Sequence, residues 1–367
     1  MRLANTILLI VVAASCAGLA AASTQREGAD RPASVYVFLA DNSIVRTNAL
    51  FGTWKVTRIG KAPTDIVSTG ELLARSRDHR ILWALVRSES TLVALTADLR
   101  ALKVIHLPKS WSARALAVGP NTGRLYIAYN IATLKRGRHD PLRSARLAVF
   151  ESDGSRRLTD TLLRPNGGRS WLIWSLALDP AERRAYISYH GSDTTGLDVA
   201  RINGSRILNC PTRSDSHVGC WTHPHGLALA GEDDVVASTG SQTIEVYDTS
   251  GTLVRSLDTG LENNHLMEFA IDRAGDRLVA AGSCGYVPGF AVVAYSTGVR
   301  QLLNRSKSIC GQTLAFAGGD VVIVGKTALA VPDPDREGQL LRIDAQRGAI
   351  TGSHRTASEP TDLLVVP

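Results

Sequence analysis

The sequence predicts an all-β fold built from repeated four-stranded antiparallel units, and three observations support this class. An apolar strand, a short turn and a second strand recur in copies that begin at residues 64, 114, 174, 225, 267 and 312. The spacing of these starts, between 42 and 60 residues, is typical of one blade of a β-propeller. No stretch shows the 3.6-residue apolar period of an amphipathic helix. With one further unit at the chain ends, the count predicts a seven-bladed β-propeller.

Each repeat contains two hairpins. The first is clear in WSLALDPAERRAYISYH (174–190) and MEFAIDRAGDRLVAAGS (267–283), where a short polar turn separates two apolar runs. The second is clear in IEVYDTSGTLVRSL, where Ile244 and Val246 alternate with Glu245 and Tyr247 in the two-residue period of a strand. Glycines supply the backbone freedom for tight turns in the second hairpins, at Gly154, Gly251, Gly298 and Gly348.

The two ends of the chain predict how the ring closes. The last residues, EPTDLLVVP (359–367), resemble an innermost strand with no blade after it. The segments SVYVFLAD, NSIVRTNAL and TWKVTRIG, which begin at Ser34, resemble a blade that lacks its innermost strand. Joined, they form one complete blade and remove an open sheet edge that would invite aggregation. We therefore expect the tail near Leu363 to pair with the strand around Tyr36.

The N-terminus predicts export. Residues 1–22, MRLANTILLIVVAASCAGLAAA, combine Arg2, a short apolar core and a small-residue cleavage site. We expect a cleaved signal peptide at 1–22, a flexible segment at 23–33 and the propeller at 34–367. A lipid anchor on Cys16 is the alternative, because the three residues before it partly resemble the lipoprotein box, without its usual leucine. No later stretch is long enough to span a membrane, so the expected location is secreted or periplasmic.

Composition sets limits on partners. The chain has 367 residues, is 44% hydrophobic and carries a formal net charge of +7. This composition describes a folded protein with a large core and only a mild basic bias, so we expect no nucleic-acid partner. We expect a monomer. Asn203 and Asn304 each begin a sequon for N-glycosylation, which matters only in a eukaryotic host.

Four cysteines follow the leader, and an even count in an exported chain predicts two disulfides. They are Cys210, Cys220, Cys284 and Cys310. Pairing Cys210 with Cys220, and Cys284 with Cys310, joins sequence neighbours in each case, and two other pairings stay open. We expect the bridges to staple exposed loops; redox chemistry is the alternative.

The repeats also resemble a known family. The phrases HPHGLALAGEDDVVASTGSQTIEVYDTSG, GRLYIAYN and EPTDLLVVP are similar to the YVTN and lactonase-like seven-bladed propellers, over nearly all of the chain after the leader. The tyrosine-valine-threonine-asparagine tetrad is absent, with LYIAYN and VVASTG in its place. Such families include sugar-lactone hydrolases and surface proteins, so the resemblance implies the fold and leaves the activity open.

Loop lengths indicate which face carries function. One face has short, uniform turns such as GPNTG, DPAE and AGGD. The opposite face, called here the irregular face, has long loops at 130–145, 190–198, 284–289 and 326–338. Long loops on a rigid scaffold often carry binding groups. We expect the ligand site, and both disulfides, on the irregular face.

The stretch CWTHPHGLAL (220–229) contains the candidate metal ligands. Aligning its GLAL with EFAI places His223 level with His265, just before an inner strand. Together with His225, these imidazoles could bind zinc or another divalent metal, or one could act as a general base. The structural alternative is that Pro224 fixes the entry to the strand and the imidazoles satisfy backbone groups.

Further candidates lie level with these histidines or close by. The repeat alignment places Arg114, Trp174 and Gln312 at the level of His225, with Thr64 and Thr361 in the remaining blades. Glu268 is one step further along blade six, and His190 ends a second strand. A basic loop could attract an anionic glycan, phosphate or lipid surface, unless it is only a solvated loop. Its candidate residues are Lys135, Arg136 and Arg138.

Two functional hypotheses follow. The leading one is an exported propeller that binds a protein, glycan or small-molecule partner through the irregular face. The chain lacks GxSxG and HExxH, the motifs of a serine nucleophile and of a zinc protease. The alternative is a hydrolase or lyase acting on a lactone or sugar-like substrate. In it, His225 or His265 takes the proton, Glu268 orients that base and Arg114 steadies negative charge.

Overall fold

The computed structural model describes most of the chain from residue 33 to residue 366. The described ranges are 33–61, 71–131, 134–135, 138–139, 145–163, 171–191, 195–201, 204–209, 227–230, 234–238, 243–249, 252–261, 268–272, 274–282, 288–311, 313–327 and 335–366. Within them, no helix is long and apolar enough to cross a membrane.

The strands form seven four-stranded antiparallel sheets, the blades. Blade 1 contains β1 (Ser34–Leu39), β2 (Ser43–Asn48), β3 (Lys55–Arg58) and the last strand, β30 (Pro360–Val366). Blade 2 contains β4 (Leu73–Arg75), β5 (Ile81–Val86), β6 (Thr91–Thr96) and β7 (Ala101–His106), with a short 3-10 helix at Arg87–Glu89. Blade 3 contains β8 (Trp111–Val118), β9 (Leu125–Ile131), β12 (Ala145–Phe150) and β13 (Arg157–Leu163). Between β9 and β12, β10 (Leu134–Lys135) and β11 (Arg138–His139) form a small hairpin.

The remaining blades follow in chain order. Blade 4 contains β14 (Trp171–Leu178), β15 (Arg184–Gly191), β16 (Thr195–Arg201) and β17 (Gly204–Asn209). Blade 5 contains β18 (Leu227–Ala230), β19 (Asp234–Ser238), β20 (Thr243–Asp248) and β21 (Leu253–Asp258). Blade 6 contains β22 (Glu268–Asp272), β23 (Arg277–Ala281), β24 (Phe290–Ala294) and β25 (Arg300–Asn304). Blade 7 contains β26 (Thr313–Phe316), β27 (Val321–Lys326), β28 (Gly338–Asp344) and β29 (Ala349–Thr356).

The blades close into a ring around a central channel. The inner strand of each blade contacts that of the next, in the order β4, β8, β14, β18, β22, β26, β30 and back to β4. This arrangement confirms the predicted all-β, seven-bladed propeller. The turn glycines behave as expected, since Gly298 and Gly348 adopt φ angles of 73° and 60° that other residues rarely reach.

The ring is closed by the two chain ends, as the sequence predicts. In blade 1, β30 pairs antiparallel with β1, and Tyr36 faces Leu364 while Val37 faces Leu363. The backbone N–H of Ala40 donates to the carbonyl oxygen of Glu359 at 2.8 Å, which extends the pairing past the strand end. The C-terminal strand therefore completes a sheet whose other strands lie more than 300 residues earlier.

The core lies between the blades. The second and third strands are apolar on both faces because each blade is covered by its two neighbours; Trp83, Phe38 and Phe290 are almost fully buried there. Burying such a side chain stabilises the fold by roughly 2 kcal/mol. The outermost strands are largely exposed, as in β7 and β21.

The structure corrects the start of blade 2. The repeat pattern places its beginning at Thr64, which lies outside the described residues, but the inner strand β4 is short and begins at Leu73. The described chain of blade 2 therefore starts at Glu71, which lies two residues before β4 and is not among the residues predicted from the sequence. The shift matters because residues at the start of the inner strands line one end of the channel.

Candidate functional site

Three inner strands contain a β-bulge, at which the register with the neighbouring strand skips one residue. The skipped residue is Arg114 in β8, Trp174 in β14 and Thr361 in β30. These residues therefore occupy equivalent positions in their blades, as the repeat alignment predicts. A bulge changes the direction of the side chains next to it and is common near binding sites. The residues after Trp174 and Thr361 are Ser175 and Asp362, and both take part in the contacts described below.

Carboxyl groups from three blades meet at the start of the inner strands. Glu71 precedes β4, Glu268 begins β22 and Asp362 lies near the start of β30. Ionisation of Glu71 or Asp362 raises the pKa of Glu268, although the three residues belong to different blades. All three remain partly accessible while deep in the protein. This combination is expected of side chains that line a central channel, not of a dry core.

Asp362 links blade 1 to blade 2. One carboxylate oxygen accepts hydrogen bonds from the backbone N–H groups of Leu72 and Leu73, at 2.6 and 2.7 Å. The other oxygen accepts one from the N–H of Leu363 at 2.7 Å. Burial raises the pKa of Asp362 to about 6, and the three hydrogen bonds oppose that rise. The side chain satisfies amides at the inner sheet edge that have no strand beside them.

Glu71 reaches further around the ring. Its backbone carbonyl accepts a hydrogen bond from the N–H of Leu116 in blade 3 at 2.9 Å. Its carboxyl group accepts one from the N–H of Leu176 in blade 4 at 2.9 Å and shares another with the hydroxyl of Ser175. Burial raises the pKa of Glu71 to about 8, opposed by these hydrogen bonds and assisted by the charge of Asp362. Glu71 is therefore mostly protonated at neutral pH.

Glu268 differs from the other two carboxyl groups. Within the described part of the chain, its carboxyl group makes no hydrogen bond and no ion pair. Burial raises the pKa of Glu268 well above its ordinary value, and the charges of Glu71 and Asp362 raise it further. Such a shift favours the protonated carboxyl group, which can donate a hydrogen bond or a proton.

Two arginines lie at the same end of the channel. Arg87 begins the 3-10 helix at the end of β5, and its Nη2 donates a hydrogen bond to the carbonyl oxygen of Arg114 in blade 3. Burial, together with the nearby charge of Arg114, lowers the pKa of Arg87 to about 9, and Glu71 and Asp362 oppose the shift. Burial also lowers the pKa of Arg114. At neutral pH Arg87 remains protonated, and we treat both guanidinium groups as positive charges.

Of the residues predicted from the sequence, Glu268 and Arg114 belong to this group. Trp174 occupies the equivalent bulge in blade 4. The backbone of His190 lies near the end of β15, where it faces Leu172 and Thr195. Lys135 and Arg138 face each other in the small hairpin between β9 and β12. The other predicted ligand, metal and basic-loop residues lie outside the described residues: His223, His225, His265, Gln312 and Arg136.

The cysteine and glycan predictions are only partly within the described residues. Cys310 is buried, with 3% of its surface exposed, in the crossing from blade 6 to blade 7. Cys210, Cys220, Cys284 and Asn203 lie outside the described residues, so the disulfide pairing stays a prediction. The side-chain nitrogen of Asn304 donates a hydrogen bond to the carbonyl oxygen of Gly348 at 2.7 Å. A glycan on this nitrogen would have to share or replace that bond.

The histidine-based metal site also stays a prediction. Among the described residues, no group of three His, Cys, Asp or Glu side chains is placed to hold a metal ion. Glu71 and Asp362 each raise the pKa of Glu268, but these three carboxyl groups are not arranged as metal ligands.

The sequence reasoning missed four residues of this group: Glu71, Arg87, Ser175 and Asp362. Asp362 and Ser175 could have been found, because they occupy the same repeat position as Glu268, one step after the aligned level. Glu71 was hidden by the misplaced start of blade 2. Arg87 stands at the end of a second strand, where no motif marks it.

Fold and site together define a class of protein: a seven-bladed β-propeller with an ionisable, partly accessible channel entrance. No protein-family model and no curated protein matches the chain. Solved structures do share the fold, including the periplasmic gluconolactonase PpgL of Pseudomonas aeruginosa, with a TM-score of 0.62 and 13% identity over 92% of this chain and 99% of that one.

Two other solved structures are similar at the same level. U3-55K aligns with a TM-score of 0.56 and 13% identity, over 80% of this chain and 84% of that one. The dihydro-heme d1 dehydrogenase NirN, in complex with DHE, aligns with a TM-score of 0.54 and 15% identity over 90% of this chain. This chain spans 65% of the length of the NirN chain. At such identities the likeness shows the fold alone.

Proposed function

We propose that this chain is an exported binding protein whose propeller, residues 34–367, holds a small polar ligand at the channel entrance on the irregular face. The observation that carries the proposal is the convergence of charged side chains from separate blades on one partly accessible space. They are Glu71, Arg87, Arg114, Glu268 and Asp362. The predicted leader at 1–22 supports export, and the periplasmic PpgL offers a precedent for the fold in that compartment.

The energetics of these groups favour a binding role over a purely structural one. Removing charged groups from water costs free energy, and well-packed apolar residues would stabilise a channel lining better. Asp362 and Glu71 recover part of that cost through backbone hydrogen bonds. Glu268 has no such hydrogen bond among the described residues, so its carboxyl group is the best candidate for contact with a ligand.

A second candidate function is hydrolysis of a lactone. Glu268 is specifically suited to it, because a carboxyl group with a raised pKa can act as a general acid at neutral pH. Arg114 would then stabilise the negative charge that develops on the substrate. The resemblance of the repeats to the YVTN and lactonase-like family, and the gluconolactonase among the structures that share the fold, make a sugar lactone the first substrate to test.

One experiment tests both functions. Purified protein is titrated by calorimetry with D-glucono-1,5-lactone, gluconate and glucose, and lactone hydrolysis above the spontaneous rate is followed in parallel. We expect saturable binding that is weakened about tenfold or more by Glu268→Gln, because the variant replaces the carboxyl group that is proposed to contact the ligand by an amide. A general acid would lower turnover by roughly a hundredfold or more when replaced.

Glu151→Gln is the matched control, because Glu151 lies in the turn between β12 and β13, where its carboxylate accepts a hydrogen bond from the exposed Arg156. Binding without turnover supports the binding protein, and turnover that needs Glu268 supports the hydrolase. If neither polyol nor lactone binds, and a wider set of small polar compounds also fails to bind, the proposed function is wrong.

A further inference from the structure

We infer that the ligand of the channel entrance carries a carboxylate group, which backbone N–H groups of blades 5, 6 and 7 bind. The inference rests on the proposed function and names the class of its ligand. It depends on one backbone amide in each inner strand, and on which of these amides are already bound by acidic residues of the chain itself.

Some backbone amides of the inner strands face the channel and not the second strand of their blade. In an antiparallel sheet, opposite residues alternate between pairs that exchange two backbone hydrogen bonds and pairs that exchange none. Leu116 lies opposite Ile127 in blade 3, and Leu176 lies opposite Ile187 in blade 4. The N–H groups of both leucines donate to Glu71. These two pairs are therefore of the second kind, and both amides point into the channel.

Blade 7 has the same arrangement. The N–H of Ala317 donates to the carbonyl oxygen of Val321 across the first turn, so these two residues form a hydrogen-bonded pair. Three residues earlier on the inner strand is Leu314, which lies opposite Val324. Three steps along the strand lead from a bonded pair to an unbonded one, so the N–H of Leu314 also points into the channel.

In blade 6, the third strand gives the same result. The N–H of Gly282 donates to the carbonyl oxygen of Gly289, at the end of the second strand. Two residues before Gly282, Ala280 therefore also bonds to the third strand, β24. Phe269 lies opposite Ala280 on the inner strand, so its N–H is not bonded to the second strand and faces the channel.

The same position exists in every blade, and its N–H groups are called here the ring amides. In blade 5 it falls on Leu227, three residues before Ala230, which pairs with Asp234 across a turn of the same length as in blade 7. The ring amides belong to Leu73, Leu116, Leu176, Leu227, Phe269, Leu314 and Leu363.

In blades 1 and 2, one carboxylate binds two neighbouring ring amides. One oxygen of Asp362 accepts a hydrogen bond from the N–H of Leu363 at 2.7 Å, and the other accepts one from the N–H of Leu73 at 2.7 Å. The two leucines lie on the neighbouring inner strands β30 and β4. The two oxygens of a single carboxylate therefore span the distance between ring amides of these neighbouring blades.

Glu71 binds the ring amides of blades 3 and 4. Its carbonyl oxygen accepts from Leu116 and its carboxyl group accepts from Leu176, each at 2.9 Å. In four consecutive blades, the ring amides are therefore bound by acidic residues of the chain.

The ring amides of blades 5, 6 and 7 differ. Within the described part of the chain, the N–H groups of Leu227, Phe269 and Leu314 have no acceptor. A backbone N–H group in the wall of a channel needs an acceptor, which water or a ligand supplies. These three neighbouring donors lie at the level where the other blades bind oxygens of acidic residues, and they form a site for a carboxylate.

Glu268 is compatible with a carboxylate at this site. It stands in blade 6 where Asp362 stands in blade 1, immediately before the residue with the ring amide. Asp362 binds that amide, but the longer side chain of Glu268 makes no hydrogen bond among the described residues. Burial raises the pKa of Glu268, which favours its protonated form. In that form Glu268 does not repel a ligand carboxylate and can donate a hydrogen bond to it.

A carboxylate fits these donors better than other polar groups do. Hydrogen bonds to an ionised acceptor are roughly twice as strong as those between neutral groups. A hydroxyl or amide oxygen carries no full charge, and an ammonium group has no lone pair with which to accept from an N–H. The contacts of Asp362 also show that a planar group with two oxygens bridges neighbouring blades at this level.

NMR spectroscopy of the unchanged protein tests the inference at one ring amide. The chain contains six phenylalanines, so protein labelled with nitrogen-15 phenylalanine gives few backbone signals, and Phe269→Leu identifies that of Phe269. Propionate, lactate and gluconate are each compared with the amide of the same acid. We expect the Phe269 amide proton to move downfield and saturate with a carboxylate, and the matched amide to bind about tenfold or more weakly. The signal of Phe150, in the third strand of blade 3, should not move.

A second measurement removes one donor without changing a side chain. The amide of Leu314 is replaced by an ester through incorporation of the corresponding α-hydroxy acid. We expect the affinity for the best carboxylate to fall about tenfold, because a charge-assisted hydrogen bond is lost. The same replacement at Phe316, two residues further along β26, is the control and should leave the affinity unchanged.

Four results would count against these proposals. Matched amides that bind as tightly as the carboxylates overturn the inference and leave the proposed function standing. A carboxylate that binds without moving the Phe269 signal lies elsewhere, which also overturns the inference. Phosphate or sulfate that moves this signal at lower concentration than every carboxylate shows that the site prefers a tetrahedral anion. If no compound of any class binds, the proposed function and the inference both fail.

Discussion

At the scale of single residues, the channel acids are the feature with the clearest physical signature. Glu71 and Asp362 both hold hydrogen bonds that favour their charged forms, yet burial raises the pKa of each to about 8 and about 6. Burial therefore outweighs hydrogen bonding at both positions. Other interactions stabilise the fold enough to accommodate these buried carboxyl groups. Their protonation should change the free energy of unfolding.

We expect the free energy of unfolding to decrease as pH rises from about 4.5 to about 8. The folded-state pKa values of Glu71 and Asp362 are above their unfolded values, so the folded state keeps protons that the unfolded state has released. Below the unfolded pKa both states are protonated and nothing is lost. Above the unfolded-state pKa, the free energy of unfolding falls as pH rises, until the pH exceeds the folded-state pKa. One pKa unit corresponds to about 1.4 kcal/mol, and water in the channel reduces the effect.

Urea unfolding at pH 5, 6.5 and 8 measures this dependence. The difference between the natural chain and Glu71→Gln isolates the part due to Glu71, because the variant cannot ionise at that position. We expect a flatter pH profile for Glu71→Gln. A profile as steep as that of the natural chain would show that Glu71 does not carry the effect.

At the scale of structural elements, polar side chains join neighbouring blades on the face opposite the site. Glu182 lies in the turn between β14 and β15, is 6% exposed and has a φ of 55°. Its carboxylate accepts hydrogen bonds from the backbone N–H of Thr122 at 2.6 Å and from the hydroxyl of Tyr126 at 3.3 Å. Burial alone would raise the pKa of Glu182, but these hydrogen bonds lower it overall. The turn of blade 4 is thereby attached to blade 3.

Replacing Glu182 with alanine should lower the free energy of unfolding by about 1–3 kcal/mol, because the amides and hydroxyls of blade 3 lose a charged acceptor. Thermal and urea unfolding measure the change. Glu151→Gln serves again as the control, since its ion pair with Arg156 is exposed and should contribute little. An unchanged midpoint for Glu182→Ala would mean that this link does not hold the two blades together.

At the scale of the whole molecule, the ring depends on one noncovalent closure. β30 supplies the inner strand of blade 1, and Asp362 on it also binds the backbone of blade 2. Without β30, blade 1 would have an open inner edge, and the contacts of β30 with β26 and β4 would be lost. The C-terminal strand is therefore the element on which the positions of all channel residues depend.

A chain ending at Glu359 should lose the cooperative unfolding transition or lower its midpoint by more than 10 °C, roughly the effect of several kcal/mol. Circular dichroism and calorimetry measure the change. A synthetic peptide of residues 359–367, added in excess, should restore the transition because the closure is noncovalent. A truncated chain with the midpoint of the full chain would contradict the role assigned to β30.

The sequence by itself determined the fold class, the number of blades and the closure by the chain ends. Local patterns predict these features, for example the two-residue alternation of Ile244 and Val246 and the glycine turn at Gly298. Such patterns can be recognised without knowing which distant residues are in contact. The same reasoning singled out Glu268 and Arg114 as candidates, since both stand at a fixed place in a repeat.

Only the tertiary structure decided which charges meet. Glu71 and Ser175 are 104 residues apart in sequence, and Asp362 binds the N–H of Leu72 across 290 residues. Residues so far apart in the sequence come into contact only when the ring closes. No local sequence pattern indicates which inner-strand residues then lie near each other at the channel. The sequence repeat indicates where most blades begin, but the electrostatic interactions in the channel depend on residues from several blades together.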